Sequence, residues 1–185
     1  MSKRIHVKQL VCSAACIALA FVLSFVKVFQ LPYSGSVTLC SMFFICYAGY
    51  CFGPVDGLIC GVIYSILQYM QGAYIISPLQ LCCDYFLAFA ALGISGFFHR
   101  KGYKGLLAGY VLACLLRGGF HTLGGFLFYM DYVPEAFRAH SITYLYPIVY
   151  NYSYILAEMA ITIVIILIPS VRKTLERLKH TALED

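Results

Sequence analysis

Pro78-Leu-Gln-Leu-Cys-Cys-Asp84-Tyr85-Phe-Leu-Ala-Phe-Ala-Ala-Leu-Gly93 is an apolar run long enough to enter a bilayer, and it carries a carboxylate six residues after its opening proline. A charged Asp inside a membrane helix costs on the order of 3 kcal/mol. A chain retains such a group when the acid is paired, faces a watery cavity or binds something. The fold and the function both turn on which of these holds for Asp84.

The composition around that run points the same way. Of 185 residues, 62% are hydrophobic and only 11% are charged, against about 25% charged in soluble domains. The chain therefore reads as an all-α integral membrane protein forming one domain over residues 1–185. Nine cysteines scattered through apolar runs resemble small core residues more than a disulfide framework, and with no CxxC a zinc site is not expected. The net charge of +5 does not argue for nucleic acid, because the basic residues cluster at span ends.

Six spans are expected, at about 9–29, 37–52, 57–70, 79–98, 105–130 and 146–169. A basic head (residues 1–8) precedes the first, and the apolar run after it is span-length with no small-x-small cleavage site, so it reads as a retained span and not a signal peptide. Lys27 is expected at its outer end, able to snorkel, and 31–36 as an uncharged turn. Gly49, Gly53, Gly57 and Gly61 recur every fourth residue. Pro54 breaks that series into a tight turn and a close contact of the third span. Residues 171–185 form an amphipathic tail whose cations would lie near lipid headgroups. The head, the 99–104 loop and the tail hold ten of the thirteen Lys and Arg, which predicts that both termini are cytoplasmic.

That orientation sets depth. At about 1.5 Å rise per residue, Asp84 lies roughly 8 Å below the outer surface, Asn151 comes level with it, and His121 lies in the same outer half. Arg117 is one turn deeper and Glu158 nearer the midplane, where it reads more as a structural group. Tyr150 and Tyr154 flank Asn151. A carboxylate among tyrosines suits a cationic, partly aromatic ligand, since ring faces add about 0.5–2 kcal/mol each by cation–π contact. Plainer readings stand beside this one. Asp84 could pair with Arg117 or Lys27, His121 could be an ordinary interior histidine, and Tyr146, Tyr150 and Tyr154 could be a packing stripe or an interfacial belt. No phosphate loop, HExxH or GxSxG is present, so any energy for transport must come from a partner.

Three segments carry a resemblance. Ser77–Gly93, Arg117-Gly-Gly-Phe-His121-Thr-Leu-Gly-Gly125 and Tyr146-Pro-Ile-Val-Tyr150-Asn151 resemble the fourth-, fifth- and sixth-helix signatures of the thiamine-specific substrate-binding (S) component of energy-coupling factor transporters. The resemblance implies a thiamine binder of the bacterial plasma membrane that docks on a transmembrane coupling subunit driven by two ATPases. It implies no cofactor of its own, ATP being used only by the partner subunits. Position by position it assigns ligand contacts to Asp84, His121, Tyr146, Asn151, Tyr74 and Tyr85, with Tyr150 in the wall. It assigns coupling-subunit docking to Ala14 and Ala18. Family members use tryptophans to sandwich the ligand, and this chain has none, so Tyr129 and Tyr33 are expected to stand in. Three alternatives remain at this point: an S component for another vitamin or a thiamine precursor, a small membrane enzyme using His121 and Asp84 as an acid–base pair, and an ion channel or proton relay using Arg117, Asp84 and Glu158.

Overall fold

The computed structural model describes residues 7–139 and 142–183. Residues 1–6 of the expected basic head, His140 in the mixed-charge loop and the last two residues of the tail lie outside them. The chain runs α1 (Val7–Ser24), β1 (Lys27–Gln30), β2 (Ser36–Thr38), α2 (Ser41–Phe52), α3 (Pro54–Met70), a composite helix α4 (Pro78–Phe98), α5 (Gly102–Phe128), a short α6 (Glu135–Ala139), α7 (Leu145–Leu167) and α8 (Pro169–Leu183). Among the described residues, four helices are long and apolar enough to cross a membrane: α1, α4, α5 and α7. The apolar helices α2 and α3 are shorter, at 12 and 17 residues.

Two sequence expectations are corrected here. The first span does not reach Phe29. Its helix ends at Ser24, and Lys27 stands in an antiparallel hairpin, with Lys27 opposite Thr38 and Phe29 opposite Val37. The fold is thus mostly helical but not purely so. Pro32 fixes the bend between the strands, and Tyr33 takes up the left-handed conformation (φ 61°) that such a tight reversal needs.

The second correction concerns the decisive stretch itself. It is one continuous rod but not one regular helix. Ser77 Oγ accepts the Gln80 N–H at 3.1 Å and Pro78 occupies the first turn, the usual opening of an α-helix. The backbone then widens to π geometry over Cys82–Leu87 and tightens to 3-10 geometry over Ala91–Phe98. The tight end lies where α4 presses on its neighbours. A Cβ at Gly57 would sit 2.7 Å from the Gly93 carbonyl oxygen, so only hydrogen there lets α3 and α4 approach so closely. The four-residue glycine pattern resolves as expected: Gly53 makes the turn at φ 102°, and Gly57 lies in the α3–α4 contact.

At the centre lies α2, buried at every residue except Phe44. Its N-cap, Cys40, is left-handed (φ 59°) and supplies no capping side chain. The cap comes instead from Glu158 of α7. One carboxylate oxygen accepts from the Thr38 N–H (3.1 Å) and hydroxyl (2.6 Å), and the other from the Ser41 hydroxyl and Met42 N–H, both 3.1 Å. A carboxylate at a helix N-terminus meets both the orphan N–H groups and the positive end of the dipole.

Further contacts sort the element ends into two sets. At one end Ser24 meets Gln71, and Tyr150 of α7 accepts the Gly35 N–H (2.9 Å) while donating to the Pro32 carbonyl. At the other, Gln9 donates to Asp56 (2.6 Å) and Tyr103 to the Ile166 carbonyl. The tail helix α8 closes that second end. Tyr47 donates to the Leu175 carbonyl, and Lys179 donates to the His99 carbonyl, each at 2.6 Å, while Lys179 sits 3.4 Å from the Tyr50 ring centroid. Burial in this position pulls the Lys179 pKa below the ordinary lysine value.

Glu158→Leu strips four donors of their acceptor at once and is expected to destabilise the protein by about 3 kcal/mol or more. The check is thermal unfolding in detergent. A midpoint equal to that of the unchanged protein would mean that Glu158 does not hold α2 in place.

Candidate functional site

Near the end of the molecule where Tyr150 grips the hairpin, α4, α5 and α7 bring a small set of polar side chains together. Asp84 lies in the π segment of α4, where the widened turn shifts it relative to a regular helix; such bulges recur at functional sites. Glycine makes room for it, because a Cβ at Gly124 of α5 would collide with Asp84 Oδ1. One turn before Gly124's neighbour Gly125, His121 places Nδ1 3.5 Å from Asp84 Oδ1. Its Nε2 accepts from Arg117 Nε at 3.3 Å, which fixes the proton on Nδ1, facing the acid. Asn151 Nδ2 donates to the His121 carbonyl (3.2 Å) and the Pro147 carbonyl (2.8 Å), and Asn151 Oδ1 accepts from Tyr154 (3.0 Å). Asp84, His121 and Asn151, expected from the sequence at one level, thus come together.

The suggested pairing of Asp84 with Arg117 or Lys27 is absent. Lys27 belongs to the hairpin, and the Arg117 guanidinium lies 4.5 Å above the Phe89 ring centroid. No lysine or arginine among the described residues lies within ion-pair distance of Asp84. The acid is 9% exposed and is held by neutral donors only: the His121 contact on Oδ1 and Gln80 Nε2 at 2.8 Å from Oδ2. Gln80, 1% exposed, went unremarked in the sequence, where a glutamine one turn from an acid gives no distinctive signal.

The tyrosines divide into two groups. On α7 the rings of Tyr146, Tyr150 and Tyr154 stack in series, with centroids 5.7 and 5.9 Å apart, and Phe137 of α6 caps the series at Tyr146 (5.1 Å). Tyr154 continues to the His121 ring at 6.4 Å. On the other side, Tyr129 accepts a hydrogen bond from Gln80 at 3.0 Å, and Tyr132 links its ring to Tyr129 (6.0 Å) and to Tyr33 (5.8 Å). A hydrogen bond with Tyr74 raises the Tyr132 phenol above its usual pKa. Tyr33 and Tyr74 are more than half exposed and stand at the rim, whereas Tyr85 is half-buried beside Phe89 (6.3 Å). Tyr132 and Tyr154 join the site without having been singled out as ligand contacts. In the sequence Tyr154 only flanks Asn151, and Tyr132 gives no signal until tertiary contacts bring it in.

Ala14 and Ala18 lie elsewhere, on an exposed face of α1 away from its buried residues Cys16, Ile17 and Ala20. No group of His, Cys, Asp and Glu among the described residues is arranged to hold a metal ion.

Comparison with known proteins follows the same outline. The profile of the thiamine transporter protein family matches residues 10–178. The thiamine transporter ThiT of Bacillus subtilis (strain 168) is 26% identical over 150 residues, spanning 74% of this chain and 76% of that protein. A solved structure of ThiT from Listeria monocytogenes superposes with a TM-score of 0.75 at 24% identity, covering 92% of this chain and 96% of the other, which establishes a shared fold.

Proposed function

This chain belongs to the thiamine transporter family, and from that premise we propose that it captures thiamine at Asp84 in a pocket between α4, α5 and α7. Family membership makes it a transporter, not an enzyme, and a multi-pass protein of the bacterial cell membrane. One observation carries the site assignment: among the described residues, Asp84 is a buried carboxylate with no lysine or arginine in ion-pair distance. A group that costs about 3 kcal/mol to hold in a bilayer is left with neutral donors only. The thiazolium of thiamine carries a fixed positive charge and supplies the missing partner. His121, Asn151 and Tyr146 offer polar contacts, while Tyr85, Tyr150 and Tyr129 offer ring faces for the two heterocycles. Tyr33 and Tyr74 stand at the entrance, and Tyr129 and Tyr33 take the part that tryptophans play in family members.

Six passes with both termini cytoplasmic fit this reading. The four long helices cross directly, and α3, at about 1.5 Å per residue, comes close to the bilayer thickness. At 12 residues α2 is too short for a lipid-facing span, but its burial on all sides and its carboxylate cap remove the need for one. The basic loop and tail then face the cytoplasm, and the Asp84 site opens outward. Energy comes from a transmembrane coupling subunit and two ATPases, docked through Ala14 and Ala18, whose small exposed side chains allow a partner helix to approach closely.

Isothermal titration of the purified protein should give a thiamine Kd in the micromolar range or tighter. Asp84→Asn should weaken it at least a hundredfold, because the cation loses its counter-charge. An unchanged Kd would remove Asp84 from the site. Ala14→Trp or Ala18→Trp should abolish uptake by cells that contain the coupling module while leaving thiamine binding intact. Loss of both together would mean that these alanines serve internal packing.

A further inference from the structure

The amide of Gln80 occupies a position that its sequence context does not advertise. It sits one helical turn before Asp84, is 1% exposed, and has every polar atom engaged. Nε2 lies 2.8 Å from Asp84 Oδ2, 3.0 Å from the Tyr129 hydroxyl and 3.3 Å from the Tyr74 carbonyl, and Oε1 accepts the Ile76 N–H at 3.2 Å. The amide orientation is settled by these partners. Turned over, it would point its oxygen at a carboxylate and its NH2 at a backbone N–H. With two protons for three acceptors, the two shorter contacts take one each and the Tyr74 carbonyl shares.

Two consequences follow from the chemistry. Donation to Oδ2 aims the carboxylate, and a neutral amide does so without cancelling its charge. The same amide ties Asp84 to Tyr129 and to the 71–77 segment through Tyr74 and Ile76, so acid, ring and entrance loop are set by one side chain. We propose that Gln80 is the positioning residue of the cation site, orienting Asp84 while leaving its charge uncompensated for a cationic ligand. This rests on the reading of Asp84 as the thiamine anchor. Residue 80 is thereby a determinant of specificity: a neutral donor there keeps the site selective for cations, and a basic side chain would close it to them.

Three variants test this in the full-length protein by titration with thiamine, each checked for folding by its ligand-free thermal midpoint. Gln80→Met keeps the volume and removes the donors, and is expected to weaken thiamine binding about tenfold. Gln80→Asn, the mildest change, withdraws the amide by one methylene and should shift Kd in the same direction by less. Gln80→Lys places an ammonium against Asp84 and should weaken binding at least tenfold beyond Gln80→Met, because the side chain takes the ligand's place. A purely structural role predicts no such ordering. The uncharged aminopyrimidine half of thiamine, used as a second titrant, should change less than twofold between the unchanged protein and Gln80→Met. Unchanged thiamine affinity in Gln80→Met, a Gln80→Lys variant no weaker than Gln80→Met, or equal losses for thiamine and its pyrimidine half would each overturn the inference. If Asp84→Asn weakens binding while the Gln80 variants behave so, only this inference falls. If Asp84→Asn leaves binding unchanged, the anchor reading falls and takes Gln80 with it.

Discussion

The Glu158 carboxylate is the constraint on which the rest of the structure depends. A helix as short and as buried as α2 cannot satisfy its first N–H groups with water, and its own cap residue offers nothing. Glu158 reaches across from α7 and accepts four hydrogen bonds at the joint between β2 and α2. That single contact fixes where the hairpin ends, where the central helix starts and how α7 lies against both. Tyr150, two turns earlier on α7, holds the hairpin's turn, so the strand pair is gripped at both of its ends by one helix.

The packing of α4 follows from a different economy. Its 3-10 end runs against α2 and α3 where glycines remove the side chains that would hold the backbones apart. Its π segment, on the opposite side of Ala88–Ala90, faces α5 at another glycine, Gly124, and presents Asp84 there. Close approach at one end and a widened turn at the other arise in one rod, and the departures from regular geometry coincide with the tightest contact and the most polar contact.

Two buried carboxylates receive opposite treatment. Glu158 is saturated by donors and lies 3% exposed, which is what a permanent structural anion requires. Asp84 meets neutral side chains, with Arg117 engaged by Phe89 and His121 instead. The difference between a satisfied acid and an under-committed one is the physical basis for assigning the first to the fold and for proposing the second as the anchor of a vitamin cation.

Much of this was legible in the residues. Long apolar runs marked the four long helices because lipid demands them, the four-residue glycine spacing marked a turn and a close contact, and Asp84, His121 and Asn151, which were expected at one level, lie together. Three things were not legible. The strands 27–30 and 36–38 are too short to show a period, so they read as the end of the first span and, past the turn, the start of the second. The π geometry around Asp84 has no sequence signature, since it is imposed by packing against α5. The partners of Asp84 were open among several candidates, and only the folded arrangement chose Gln80 and His121 over Arg117 and Lys27. The sequence by itself determined which long runs are apolar enough to cross a membrane and which of them carry ionisable groups, because hydropathy is a local property. The tertiary structure decided which buried charge is satisfied and which is left waiting, because that depends on donors brought from other helices.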